Sequence, residues 1–157
     1  MHATRVAVVV ALGLLFSASY WTQSSRTSDV PARERLIGAW RLVSDQVIVN
    51  GKSTKLDQTG ILTYTSDGLM SVQIMDRDPS AKRDAGAVQY SANGYEGYFG
   101  RFEINEAAHS VTHYVEGALV RTLIGKDLTR MYTFSGKQLI LKSSRADENW
   151  RIVWEHY

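Results

Sequence analysis

The chain of 157 residues contains no cysteine, which excludes disulfide bonds and a thiolate nucleophile. It also has no long run of lysine or arginine. Its 18 basic residues are nearly balanced by 16 acidic ones, for a formal net charge of +2. A nucleic-acid partner is therefore not expected, since neutralising phosphates takes a clustered basic surface. The length is sufficient for one domain with its own hydrophobic core.

Signatures of several common active sites are missing as well. The nucleophile motif Gly-x-Ser-x-Gly does not occur, and nothing marks one serine as reactive. His109 and His113 are four residues apart, which on a strand separates them by about 13 Å. The glycines at 94, 97 and 100 lack the strand-to-helix context of a phosphate loop and are expected to allow close packing or a bend. We predict no metal, no cofactor and no assigned catalytic residue.

The amino-terminal segment has the pattern of an export signal. Arg5 precedes an unbroken run of apolar residues and glycine at 6–16, which is short for a membrane span, and small residues follow it. We predict a signal peptide at 1–19, a flexible leader at 20–35 and an extracytoplasmic protein, periplasmic or secreted, with no membrane partner after cleavage. The alternative is an uncleaved segment that tethers the protein to a membrane. A lipid-modified lipoprotein is excluded, because no cysteine follows the apolar run.

The remainder of the chain alternates between polar and apolar residues with the period of a β-strand. Turn residues such as Asn50-Gly51 and Ser66-Asp67-Gly68 separate the strands. The segments are short and leave no room for helical crossovers, so neighbours are expected to be antiparallel. Eight strands are predicted at about 39–49, 60–66, 69–76, 97–106, 109–116, 128–135, 137–143 and 149–155.

Two short helices are predicted beside these strands. Pro31 suits a first helical position and Asp29 can cap it, so one helical turn is expected before the first strand. Val88, Ala92 and Tyr95 have near-helical spacing, which predicts a second helix between the third and fourth strands. A long disordered loop is the alternative there, since glycines weaken the helix.

Alternation also predicts which side chains point into the interior of a closed sheet. The inward set is rich in tyrosine and tryptophan, whose polar atoms need partners when buried, and this favours a cavity over a packed core. The predicted inward positions include Trp40, Leu42, Ser44, Leu62, Tyr64, Met70, Val72, Ile74, Tyr98, Phe102, Ile104, Leu128, Arg130, Tyr132, Phe134, Trp150, Ile152 and Trp154.

Two polar residues stand out within the predicted interior. His113 alternates with Val111 and Val115, so it is either a ligand-binding or proton-transferring group or a structural histidine bonded to a tyrosine hydroxyl. Arg130 must be paired if it is buried. Its partner is expected to be an internal carboxylate, such as Glu116 if a bulge rotates it inward, or an acidic ligand.

Several stretches together resemble the bacterial and fungal lipocalin-like domain family. They are Leu36-Ile-Gly-Ala-Trp-Arg-Leu-Val43, residues 60–75, Gly97-Tyr-Phe-Gly-Arg-Phe-Glu103, Val111-Thr-His-Tyr-Val-Glu-Gly117 and Val153-Trp-Glu155. The resemblance covers about residues 36 to 155 and implies an antiparallel barrel with a central cavity, but no agreed chemistry. Relatives often end in Trp-Glu-Arg, whereas this chain has His156, so Trp40 is expected to pack against Arg151 or Arg41 instead.

These observations predict an all-β protein, an eight-stranded antiparallel up-and-down lipocalin-like barrel at 36–157, which holds a small, largely apolar or weakly acidic ligand. One alternative is a cofactor-independent isomerase or cyclase that uses His113 as acid–base group and Arg130 to stabilise negative charge. The other is an accessory protein whose barrel is simply packed. The predicted ligand-binding residues are Trp40, Tyr64, Tyr98, Phe102, His113, Arg130 and Tyr132.

Overall fold

The computed structural model describes residues 30–78 and 91–157. The predicted signal peptide, the cap at Asp29 and the first part of the predicted second helix lie outside these residues. In the described part of the chain, no helix is long and apolar enough to cross a membrane.

One short helix and ten strands make up the described structure. Helix α1 spans Ala32–Leu36, as predicted, and a single 3-10 turn spans Arg121–Leu123. The strands are β1 Gly38–Val49, β2 Lys52–Leu56, β3 Gln58–Tyr64, β4 Leu69–Asp76, β5 Ser91–Ala92, β6 Tyr95–Asn105, β7 Ser110–Ala118, β8 Asp127–Ser135, β9 Gln138–Ser143 and β10 Trp150–His156.

The sheet closes on itself to form a barrel. Its strand order is β1-β3-β4-β6-β7-β8-β9-β10, and β10 pairs with β1 to complete the circle. Every pairing in it is antiparallel, which confirms a closed barrel of eight strands. Two additional strands were not predicted: β2 continues the line of β3 along the second half of β1, and β5 pairs with the start of β6.

The predicted helix between the third and fourth strands is wrong over its described part. Residues 91–97 form β5, a tight turn and the start of β6. Asn93 and Gly94 have φ angles of 54° and 73°, the left-handed pair that a two-residue hairpin requires. The Asn-Gly turn therefore determined the conformation of residues 91–97, and the near-helical spacing of the apolar residues did not.

A β-bulge in β1 reverses the predicted face of its second half. The register shifts between Leu42 and Ser44, so that Ser44 pairs with Val153, while Leu42 pairs with Trp154. Cross-strand partners share a face, and Trp154 belongs to the core, so Ser44 lies on the outer face. The prediction that Ser44 points inward is wrong, because an extra residue in one strand inverts the alternation after it.

Helix α1 lies across one end of the barrel, which we call the closed end. Leu36 is fully buried in the core, and its carbonyl accepts a hydrogen bond of 2.8 Å from the Trp40 indole nitrogen. The guanidinium of Arg35 lies 3.9 Å from the centre of the Phe134 ring, and the backbone nitrogen of Ala32 donates to Glu106. These contacts fix the helix to hairpins at that end.

Trp40 packs against His156, not against an arginine. The two rings meet edge to face with their centres 4.7 Å apart, while Arg41 forms an ion pair with Glu155 on the exterior. The expectation that Arg41 or Arg151 would replace the missing arginine is wrong, because β10 pairs Trp40 directly with His156. The imidazole thus lies at the place where relatives often have a guanidinium.

Gly38 makes room for this imidazole. Its φ angle is +131°, and a Cβ atom added there would lie 2.4 Å from Nε2 of His156. We expect Gly38→Ala to lower the free energy of unfolding by about 1–2 kcal/mol, because left-handed backbone disfavours a side chain and the imidazole must move. Urea denaturation measures the loss. Gly136→Ala is the control, since a Cβ there meets nothing within 4 Å, and an equal loss in both variants would show that His156 is irrelevant.

Candidate functional site

Three polar side chains form a buried hydrogen-bonded group, which we call the tyrosine–histidine triad. It consists of Tyr64 on β3, Tyr98 on β6 and His113 on β7, with exposed fractions of 1%, 5% and 2%. The Tyr64 hydroxyl lies 2.7 Å from Nε2 of His113, and the Tyr98 hydroxyl lies 3.0 Å from Nδ1. Both ring nitrogens are therefore bonded to phenols, and the predicted inward direction of all three side chains agrees with their burial.

Strand pairing brings the triad together. His113 pairs with Phe102 across β6 and β7, and the Phe102 ring packs against Tyr64 with ring centres 4.7 Å apart. The other side of Phe102 lies 5.4 Å from the guanidinium carbon of Arg33 in α1. Phe102 thus connects the triad to the helix at the closed end.

Burial keeps the triad in its neutral form. Desolvation, and then the charge of Arg130, hold the pKa of His113 well below its usual value. Desolvation raises the pKa of Tyr98 to about 12 and that of Tyr64 well above its usual value. Since the charged form of each group is disfavoured inside the barrel, the imidazole carries one hydrogen and each phenol keeps its own.

Arg130 supplies the positive charge beside the triad. It is 5% exposed, its charge lowers the pKa of Tyr98 against the effect of burial, and its guanidinium carbon lies 4.9 Å from the centre of the Trp150 ring. Glu116 is not its partner, because that carboxylate is 51% exposed and pairs with Arg101 at 3.2 Å. A bulge does occur here, because Phe99 pairs with Gly117 and Gly100 with Val115, which makes Glu116 the extra residue of β7, but the Glu116 carboxylate remains on the exterior.

Sequence reasoning missed the inward carboxylates Asp45, Glu96 and Asp76. Asp45 is only 8% exposed, because the bulge in β1 turns it inward opposite Ile152. Glu96 pairs with the buried Ile74, which places both on the inner face, and its charge raises the pKa of Tyr98 further. Extending the alternation of β6 backwards from Tyr98 would have found Glu96, but that residue was assigned to the predicted helix.

A buried amide and carboxylate form a second polar pair inside the barrel. Gln58 and Asp76 are 9% and 7% exposed, and the Gln58 amide nitrogen donates to Asp76 at 3.1 Å. They lie near the barrel end opposite α1, where β3 begins and β4 ends. The described interior therefore carries polar groups on several of its strands.

The remaining predicted site residues are buried but lie apart from the triad. Trp40 contacts Leu36 and His156 at the closed end. Tyr132 packs its ring against His109 and Phe134, and desolvation followed by the charge of Glu106 raises its pKa. The structure thus brings together Tyr64, Tyr98, Phe102, His113 and Arg130, and places Trp40 and Tyr132 nearer α1.

Neither a metal site nor a phosphate loop emerges in the described ranges. No group of three or more histidine, aspartate or glutamate side chains in residues 30–78 and 91–157 is arranged to hold a metal ion. His109 lies in a turn with a φ angle of 49°, as expected from its position between strands. A Cβ added at Gly100 would lie 1.9 Å from the carbonyl oxygen of Tyr114, so this glycine allows the close approach of two strands.

The chain matches one family model and is similar to several solved structures at low sequence identity. A family model for the lipocalin-like domain matches residues 37–155. A lipocalin-like protein from Bacteroides uniformis is 16% identical with a TM-score of 0.48, over 78% of this chain and 99% of that one. An uncharacterised protein from Bacteroides eggerthii is 14% identical with a TM-score of 0.47, over 78% and 99%.

A point mutant of the fluorescent protein UnaG is 12% identical with a TM-score of 0.41, over 79% of this chain and 97% of that one. No curated protein matches the sequence significantly. Because the family model covers most of the chain and all of its barrel strands except the last residue of β10, the protein belongs to the lipocalin-like domain family.

Proposed function

We propose that the protein is an exported barrel that binds one small, largely apolar ligand in its centre. The observation that carries this proposal is the position of Arg130 and the triad, which gather a charge and three polar side chains inside the barrel. Each of these groups costs free energy to bury unless it is bonded. An eight-stranded barrel is wide enough for packed side chains or one small ligand. A bound ligand would explain why polar side chains, and not apolar ones, occupy this part of the interior.

The ligand site is proposed at the triad. Phe102 and Trp150 supply aromatic surface for an apolar body, while Tyr64 and Arg130 supply hydrogen-bond donors for one polar end. Small-molecule sites commonly combine such an apolar lining with a few fixed polar groups. Trp40 and Tyr132 then support the wall of the site near α1.

The geometry favours binding over catalysis by His113. A general base must offer a nitrogen to the proton that it removes, yet both ring nitrogens of His113 are within hydrogen-bond distance of tyrosine hydroxyls. The imidazole therefore positions the two phenols, and this is the structural role that the sequence left open beside a functional one.

Native mass spectrometry of the protein, purified without denaturant, tests the proposal. We expect a one-to-one complex with a small molecule that is lost on unfolding, and a rise in the melting temperature when the stripped protein receives that molecule back. Arg130→Met should weaken the complex, while Arg101→Met, on the exterior, should not. Finding only the bare polypeptide, together with no thermal shift from a panel of apolar compounds, would contradict the proposal.

Export has its own test. Amino-terminal sequencing of the protein from the extracytoplasmic fraction of its source cells should begin at Tyr20, because small residues precede the predicted cut after Ser19. A protein that retains Met1 and remains with the membrane would support the tethered alternative. A protein found entirely in the cytoplasm would contradict export.

A further inference from the structure

The triad holds one hydrogen more than its own hydrogen bonds can use. Two phenols and one neutral imidazole carry three hydrogens, but only two bonds join them, Tyr64 to Nε2 and Tyr98 to Nδ1 of His113. A neutral imidazole donates from one nitrogen and accepts at the other. One phenol must therefore accept from the imidazole, and that phenol's own O–H points elsewhere.

Arg130 determines which phenol has the spare hydrogen. After burial, its charge is the largest influence on the pKa of Tyr98, whereas it comes only third for Tyr64, so the Tyr98 O–H is the stronger donor. Tyr98 then donates to Nδ1, and Nε2–H donates to Tyr64. The hydrogen bonds run in one direction from Tyr98 to Tyr64, and in the described ranges the Tyr64 hydroxyl has no second partner to receive its hydrogen.

A second donor inside the barrel also lacks an acceptor. Trp154 is 1% exposed and belongs to the core, and among the described residues its indole nitrogen has no hydrogen-bond partner. Buried donors without partners are rare and costly. Gln58 Oε1 is a buried acceptor without a partner among the same residues, but its side chain belongs to the pair with Asp76. An oxygen acceptor beside Tyr64 would satisfy the spare hydrogen of that hydroxyl.

We propose that the ligand of the barrel is an apolar molecule with a carbonyl-type oxygen, which accepts the spare hydrogen of the Tyr64 hydroxyl. This inference rests on the proposed binding function and specifies the class of ligand. The apolar body of the ligand packs on aromatic side chains. Its carbonyl oxygen accepts from Tyr64, the last group in the series of hydrogen bonds Tyr98–His113–Tyr64. A hydrocarbon of the same shape leaves that hydrogen unpaired.

Three probes that share a naphthalene body test the inference: naphthalene, 2-acetylnaphthalene and 2-naphthoate. Their dissociation constants for the full chain, measured by tryptophan fluorescence and calorimetry, should show 2-acetylnaphthalene binding about tenfold tighter than naphthalene, since an unpaired buried donor is removed. The comparison of 2-naphthoate with 2-acetylnaphthalene distinguishes an anionic ligand from a neutral one. If 2-naphthoate binds more tightly than the ketone, the carbonyl ligand is a carboxylic acid.

Two further measurements distinguish hydrogen bonding from a general preference. Tyr64→Phe should lower the ratio of the two affinities, because it removes the hydroxyl that only the ketone can satisfy. Tyr114→Phe is the matched control and should keep the ratio, because that phenol bonds to Glu103 on the exterior. If Tyr64→Phe does not fold, the carbonyl stretching band of bound carbon-13-labelled 2-acetylnaphthalene in the unmodified protein answers the same question, and it should move to lower frequency than in hydrocarbon solvent.

The outcomes distinguish a failure of the carbonyl assignment from a failure of the proposed binding function. Equal affinities for naphthalene and 2-acetylnaphthalene, or an unshifted carbonyl band, would overturn the carbonyl assignment and leave a binding barrel. Binding by none of the three probes, together with no co-purified molecule in native mass spectrometry, would overturn the binding function and this inference with it.

Discussion

Replacing His113 by alanine is expected to lower the free energy of unfolding by about 4 kcal/mol. The variant removes a side chain that is 2% exposed and leaves a cavity. It also leaves the buried hydroxyls of Tyr64 and Tyr98 without the partner that they share. Since a typical domain is stable by only about 5–15 kcal/mol, the loss is a large fraction of the total. Urea denaturation followed by tryptophan fluorescence measures it.

The control for this variant is His109→Asn. His109 lies in an exposed turn with a φ angle of 49°, and asparagine tolerates that backbone conformation. We expect a change within about 0.5 kcal/mol, as for most surface substitutions. A loss below about 1 kcal/mol for His113→Ala would mean that the two phenols find other partners, because an unsatisfied buried hydroxyl alone costs that much, and the triad would then have no structural importance.

Stability is expected to fall as the pH is lowered from 7 to 5, and His113 is the cause. Its pKa in the folded protein lies well below the usual value, mainly through burial and then through Arg130. Below about pH 6.5 the unfolded chain therefore binds a proton at His113 that the folded protein does not. The stability is fully present above that pH and is lost toward the folded pKa, at up to about 1.4 kcal/mol per pH unit.

A set of denaturation curves between pH 7 and pH 5 measures this dependence. His113→Gln keeps a donor and an acceptor but cannot be protonated in this range, so the fall attributable to this position should disappear. His109→Asn should retain it. If His113→Gln shows the same slope as the unmodified protein, His113 does not resist protonation in the fold, and the neutral triad is wrong.

The inner face of the barrel was largely predictable where alternation is uninterrupted. In β8, and in β7 from Val111 to Val115, the side chains follow the period of two, so His113 and Arg130 were correctly placed inside from their neighbours alone. The same reasoning failed after the bulge in β1, where Ser44 turned outward and Asp45 inward. A bulge depends on how two strands fit against each other, and the sequence of β1 by itself contains no mark of it.

Local turn chemistry explains a second group of successes and one failure. The Asn50-Gly51 turn and the hairpin at 66–68 fall where they were predicted, because their glycines adopt left-handed backbone at φ angles of 75° and 92°. The same signal at Asn93-Gly94 was overlooked in favour of helical spacing. Glu96 was consequently missed as an inward carboxylate, although its position two residues before Tyr98 was visible.

The sequence by itself determined the eight barrel strands, most of their turns and the burial of the triad residues, because each of these follows from the chain's own periodicity and glycine positions. Only the tertiary structure decided that both nitrogens of His113 meet tyrosine hydroxyls, that Glu116 pairs with Arg101 rather than Arg130, and that His156 packs on Trp40. These contacts join distant strands, and closure of the barrel sets which side chains meet across its interior.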